Sequence, residues 1–177
     1  MRRYKFLREV NGKIKSNSGN KIWEVKKWYH ENEIDMCNLG FHCSKEIDQA
    51  FSFVQGEILA EVEVKGEHKK DNDKEVYTDM RILKAWKWQK KDSVSLSIFV
   101  AELVLNIFEK KFPNDKRPRE AIAAAKNWLK NPTAESAARA ARSAASARAA
   151  RSAWSELTKK IERWFNNRIK ELEIWNK

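Results

Sequence analysis

From Ile58 the chain alternates strictly. Ile58, Ala60, Val62 and Val64 fall on one side, and Leu59, Glu61, Glu63 and Lys65 on the other. A period of two with one apolar side predicts a strand with one buried face. VYTDMRILKAWKW (76–88) predicts a second strand, with Met80, Ile82, Trp86 and Trp88 on one face. RYKFLREV precedes Asn11–Gly12, a pair that tolerates positive φ and marks a hairpin. NSGN (17–20) and NLG (38–40) predict further turns, KIWEVKKWY (21–29) a strand, and EHKKDNDKE (67–75) a charged loop. SKEIDQAFSFV (44–54) has helical spacing at Ile47, Phe51 and Val54, with Ser44 as its cap.

After residue 92 the period lengthens. VSLSIFVAELVLNIF (94–108) predicts a helix that starts near Ser93 and stops before Pro113; it is too short to span a bilayer, which needs about 20 apolar residues. NDKRPREAIAAAKNWLKN predicts a second helix with Pro118 in its first turn. From Ala134 to Trp175 there is no Pro or Gly, enough for one helix of roughly 60 Å at 1.5 Å per residue, or a pair broken near Trp154. The expected fold class is α+β: a small mixed α/β-sheet domain over 1–92, then an all-α helical domain over 93–177 carrying a long Ala/Arg-rich helix.

Charge changes this picture. The 177 residues hold 36 Lys and Arg against 25 Asp and Glu, a net charge of +11. Residues 93–177 contribute 17 basic and 9 acidic side chains, so +8 of the excess lies there. Such a balance favours polyanions: nucleic acid, a nucleoprotein, an anionic membrane or an acidic protein face. ARAARSA occurs at 138–144 and again at 147–153. Nine residues at 100° each turn the second Arg pair about 180° from the first. Arg139 and Arg142 therefore oppose Arg148 and Arg151 on a helix of small residues. It is read either as a rod packed closely among other helices, its Arg stems reaching solvent, or as an Arg-studded rod lying on phosphates. Lys159, Lys160 and Arg163 continue the basic character between Leu157, Ile161, Trp164, Phe165, Ile169, Leu172 and Trp175, an amphipathic pattern whose apolar side makes core or a partner interface. RILKAWKWQKK (81–91) interleaves Trp86 and Trp88 with lysines, either a stacking clamp for single strands or an edge strand guarded by lysines.

Candidate chemistry is sparse. The five glycines fall at turns, and no GxxxxGK[ST], HExxH, GxSxG or CxxC is present. Two cysteines and three histidines lack metal-ligand spacing, so neither metal nor cofactor is expected. MRRYKFLREV turns polar too soon for a secretory signal, which favours free thiols in a bacterial cytoplasm. CNLGFHCS (37–44) sets His42 and Cys43 just before a helix start, where a thiol can be activated. Adjacent strand residues point to opposite faces, however, which argues against a His42–Cys43 pair.

Cys37, Gly40, Phe41, His42 and Cys43, followed by Ala60–Glu63, Gly66 and Glu67, resemble an uncharacterised N-terminal domain of phage and bacterial proteins; the likeness covers about residues 2–88. Arg117, Pro118, Arg119, Ala121, Ile122, Ala124, Ala125 and Trp128 resemble the opening of Ala-rich helical modules, sometimes labelled immunity-like, that follow such domains. These resemblances imply a phage or mobile-element origin. GFHCSKEIDQAFSFV is also similar to a region of small ADP-ribosyltransferases, which implies roles for Arg8, His42 and Glu75. Three functions follow as expectations. One is a non-enzymatic inhibitor of a host nucleoprotein or nuclease (CRISPR-type among them), in direct contact with nucleic acid or beside it. The others are an ADP-ribosyltransferase-like enzyme and a self-associating protein whose Ala-rich rod forms a homodimer.

Overall fold

The computed structural model describes residues 1–54, 56–132 and 155–175. Among them the chain forms β1 (Arg2–Val10), β2 (Lys13–Lys15), β3 (Ile22–Trp23), β4 (Tyr29–His30), β5 (Phe41–Cys43), α1 (Ile47–Phe53), β6 (Ile58–Lys70), β7 (Glu75–Lys87), α2 (Lys90–Lys111), α3 (Arg117–Lys130) and α4 (Ser155–Ile169). The class is α+β. Two compact units result: Met1–Trp88 with Phe165–Lys177, and Gln89–Trp164.

The first unit is an antiparallel sheet in the order β3-β2-β1-β6-β7-β4, with β5 also on β7. Asn11 and Gly12 at φ 50° and 71° make the predicted tight hairpin between β1 and β2. The Tyr4 and Ser44 backbones exchange two hydrogen bonds, 2.9 and 3.0 Å. Since β5 pairs β7, β7 pairs β6 and β6 pairs β1, these bonds close a ring of strands. Inside it lie Leu7, Phe41, Cys43, Ile58, Ala60, Val62, Tyr77, Met80 and Ile82. The opposite face is covered too. Phe6 stands beside Leu59 and Leu59 beside Trp86, and the Phe6 ring meets Phe51 of α1 at 5.3 Å and Trp88 at 5.4 Å.

Several expectations are corrected. Residues 21–29 are two short strands, split by a turn with Lys26 at φ 70°. Ser44 does not cap α1, because its backbone is spent on Tyr4; the helix starts at Ile47, and the Gln49 side chain accepts from the Glu46 N–H at 3.2 Å. The charged stretch 67–75 is mostly strand, since β6 and β7 run on to a turn at 71–74. Trp86 and Trp88 do not share a face with Met80 and Ile82. Lys84 opposes Glu61 and Ile82 opposes Val62, so Leu83 is an extra residue in β7, and this bulge inverts the alternation beyond it. A second irregularity sits at Gly66, φ 80°, where a Cβ would lie 2.1 Å from Thr78 Oγ1.

The second unit packs α2 on α3 through Val94, Ile98, Ile122, Ala125 and Trp128. Helix α2 starts at Lys90, three residues ahead of Ser93, because the Asp92 side chain accepts from the Gln89 N–H at 2.7 Å. Residues 133–154, which include the Ala/Arg repeat and its expected helix, lie outside the described residues. The expectation of an all-α segment over 93–177 fails at its end. Helix α4 stops at Ile169, and the following chain joins the sheet: Trp175 N–H donates to the Ala85 carbonyl at 2.8 Å, Lys87 N–H to that of Glu173 at 2.9 Å, and Ile174 bridges Trp86. Burial of the Trp175 ring in the sheet core supplies the driving force.

Gly66→Ala forces a β-carbon into Thr78 at a backbone angle that disfavours it. It is expected to cost about 1–3 kcal/mol, read as a lowered urea midpoint with an unchanged slope.

Candidate functional site

Helix α4 turns about 100° per residue, so positions 157, 161 and 165 share one side and 159, 160 and 163 avoid it. Leu157, Ile161 and Phe165 are buried; Lys159, Lys160 and Arg163 are exposed. These three cations form the described part of the predicted basic surface. Arg139, Arg142, Arg148 and Arg151 lie outside the described residues.

Trp86 and Trp88 are core residues, 7% and 4% exposed. Trp88 meets Phe6 edge-on and stacks on Phe165 at 5.7 Å, so its faces are occupied by protein. The segment is thus no stacking clamp, and it is not an edge strand either: β6 pairs it on one side and residues 173–175 on the other.

The GFHC turn builds a polar knot at the ring closure. Cys37 at φ 73° and Gly40 at φ 91° bend the chain into β5. A Cβ on Gly40 would lie 2.7 Å from both Ile34 and Val76 side chains, so only glycine fits. As expected of adjacent strand residues, His42 and Cys43 diverge. His42 Nε2 accepts the Cys37 N–H at 2.9 Å, and burial, with the Lys5 and Lys74 ammonium groups adding to it, lowers the imidazole's pKa. Cys43 is buried, and that burial pushes its thiol up to about 12. Cys37 is exposed, and its sulfur accepts from Lys74 Nζ at 2.8 Å.

Arg3, Lys5 and Tyr77, which were not singled out in the sequence, complete the knot together with Glu75. On β1, Arg3, Lys5 and Leu7 alternate onto the face of Val62, Ala60 and Ile58, which carries the two cations inward. Lys5 Nζ donates to the His42 carbonyl at 2.6 Å, and burial lowers its pKa. Arg3 Nε donates to Glu75 at 2.6 Å, and the Tyr77 hydroxyl donates to the same carboxylate at 2.7 Å. Burial raises the Glu75 pKa, but the hydrogen bonds from Arg3 and Tyr77 outweigh it and the net shift is downward. Burial, then the bond to Glu75, pushes Tyr77 up to about 12. The signal for these residues was the cation–x–cation–x–Leu spacing of RYKFL, polar at positions where the strand face is core.

Arg8 and Glu75, the pair implied by the transferase likeness, are held by different partners. Arg8 donates to the Ser16 carbonyl at 3.1 Å, whereas Glu75 is engaged by Arg3 and Tyr77. Among the described residues no group of three or more His, Cys, Asp or Glu side chains is placed to hold a metal ion. No described helix is long and apolar enough to cross a membrane.

The arrangement defines an α+β protein with a ring-closed antiparallel sheet and a separate helical unit bearing exposed cations. Residues 4–91 match the family model described as a domain of unknown function (DUF7666), and residues 83–165 match the one described as "Imm-5 like putative immunity protein". Together the matches span residues 4–165, in agreement with the coarse two-module resemblance. No curated protein and no solved structure matches.

Two outcomes follow. A thiol reagent at pH 8 is expected to label one cysteine per native chain, Cys37, and two in denaturant; rapid native labelling of Cys43 contradicts its burial. The depressed Glu75 carboxyl contributes stability that is present above its unfolded value of 4.5 and is lost as pH falls through the lower folded value. Glu75→Gln is therefore expected to lose stability at pH 7 and to show a flatter decline below pH 4.5 than the unsubstituted chain, measured by urea unfolding.

Proposed function

We propose that this chain is a non-enzymatic binding protein of phage or mobile-element origin. It inhibits a host defence nucleoprotein or nuclease by docking a basic helical surface against that partner's nucleic acid or acidic face. The observation that carries this reading is the placement of charge: +8 of the net +11 lies in residues 93–177, with Lys159, Lys160 and Arg163 exposed on α4. The immunity-type match over 83–165 supports a role in conflict between a bacterium and its invaders. On the sequence, Arg139, Arg142, Arg148 and Arg151 extend the same charge, as an all-α Ala/Arg-rich segment would present it. The setting proposed is the bacterial cytoplasm.

A mobility shift with single-stranded RNA, single-stranded DNA and duplex tests this. Binding is expected at low salt and is expected to fall steeply as salt rises, because phosphate contacts release counterions. Changing Lys159, Lys160 and Arg163 together to Gln should reduce the slope of log K against log salt by about 2 for single strands. The absence of any shift at low salt overturns direct phosphate contact.

A further inference from the structure

The exposed aromatic–cation surface expected at Trp86 and Trp88 occurs elsewhere, at the corner between α2 and α3. We infer that this corner is a subsite for single-stranded nucleic acid, with a base stacked on Phe112 and flanking phosphates on Lys111 and Lys116. The inference rests on the polyanion-binding reading above and assigns part of that contact to particular residues.

Phe112 caps the C-terminus of α2 and is 46% exposed. Its ring packs on that of the half-buried Phe108, with centres 5.0 Å apart. The Lys111 ammonium lies 5.5 Å from the ring centre. Beside the ring opens a recess of about 730 Å³, bordered by Lys111, Phe112, Pro113, Lys116 and Arg117.

The local charge is arranged to favour an anion. Asp115 is clasped by Arg117 through two side-chain bonds of 2.9 and 2.6 Å, and Glu109 by Arg119 through bonds of 2.8 and 2.7 Å. Both carboxylates are thus neutralised by fork-shaped guanidinium pairing. Lys110 and Lys111 enter no ion pair among the described residues, and Lys116 donates only to the Pro113 carbonyl, 3.0 Å away. Glu120 is the remaining acid on the rim. An exposed ring with lysine ammonium groups beside it is how single strands are held without sequence preference: the π-face takes a base and the cations take the phosphates.

The test is fluorescence anisotropy of the full chain with a labelled twelve-nucleotide oligo-dT across a salt series. Phe112→Ala should weaken binding about tenfold or more with little change in salt slope, and Phe112→Tyr should restore it. Lys111→Gln with Lys116→Gln should instead lower the slope by about 1.4. If the unsubstituted chain binds and Phe112→Ala binds equally well, the subsite is overturned while the polyanion reading stands. If the unsubstituted chain ignores the oligonucleotide but binds a labelled poly-glutamate peptide, the subsite is overturned and the polyanion reading stands through an acidic protein face; binding to neither overturns both. Circular dichroism of each variant confirms folding, which an exposed side chain should not disturb.

Discussion

Two backbone hydrogen bonds between Tyr4 and Ser44 hold the first unit in its form. They join the first strand to the chain just beyond β5 and turn an open sheet into a ring. Closure removes two exposed strand edges at once, which would otherwise offer unpaired donors and acceptors to other chains. It also explains the sequence around it. Cys37 and Gly40 adopt positive φ so that the chain reaches β7 in the register that puts Ser44 opposite Tyr4. Arg3 and Lys5 point inward because Leu7, two residues further on, must fill the core beside Ile58.

The polar knot follows from that inward direction. A cation on the core side of a strand costs several kcal/mol unless its charge is matched or its proton lost. Arg3 takes the first route, through Glu75, with Tyr77 holding the same carboxylate. Lys5 takes a mixed route: one strong bond to a carbonyl, and a pKa pushed down by burial. Cys43, in the same interior, is driven the other way and stays a neutral thiol. The His42–Cys43 neighbourhood that looks reactive in sequence is thus divided by the strand into two environments. The thiol that remains accessible is Cys37, beside Lys74.

What was legible in the sequence was local. The alternation from Ile58 to Lys65 and the Asn11–Gly12 turn depend on neighbours in the chain, and both appear in the structure. The direction of Trp86 and Trp88 depends on a partner: one extra residue at Leu83 inverts the face, and nothing in VYTDMRILKAWKW marks it. The ribbon over 67–75 was hidden for another reason. Residues 67–74 have no buried position, so this stretch carries no apolar alternation and reads as loop. The spacing of Trp175 fits a helix, yet its backbone pairs with Ala85. Of the candidate surface, exposure of Lys159, Lys160 and Arg163 could be read from helical spacing. Phe112 could not, since an aromatic beside a proline reads equally as core.

The two units therefore manage charge in opposite ways. In the first, cations at the core side of the sheet are consumed by structure: Arg3 by Glu75 and Lys5 by a carbonyl. In the second, acids are the consumed groups. Asp115 and Glu109 are clasped by arginines and Glu102 by Lys126, while Lys111, Lys159 and Lys160 lie on exposed helix positions. An arginine forms a planar fork that neutralises a carboxylate in fixed geometry, whereas a lysine on a flexible stem keeps its charge available to a moving anion.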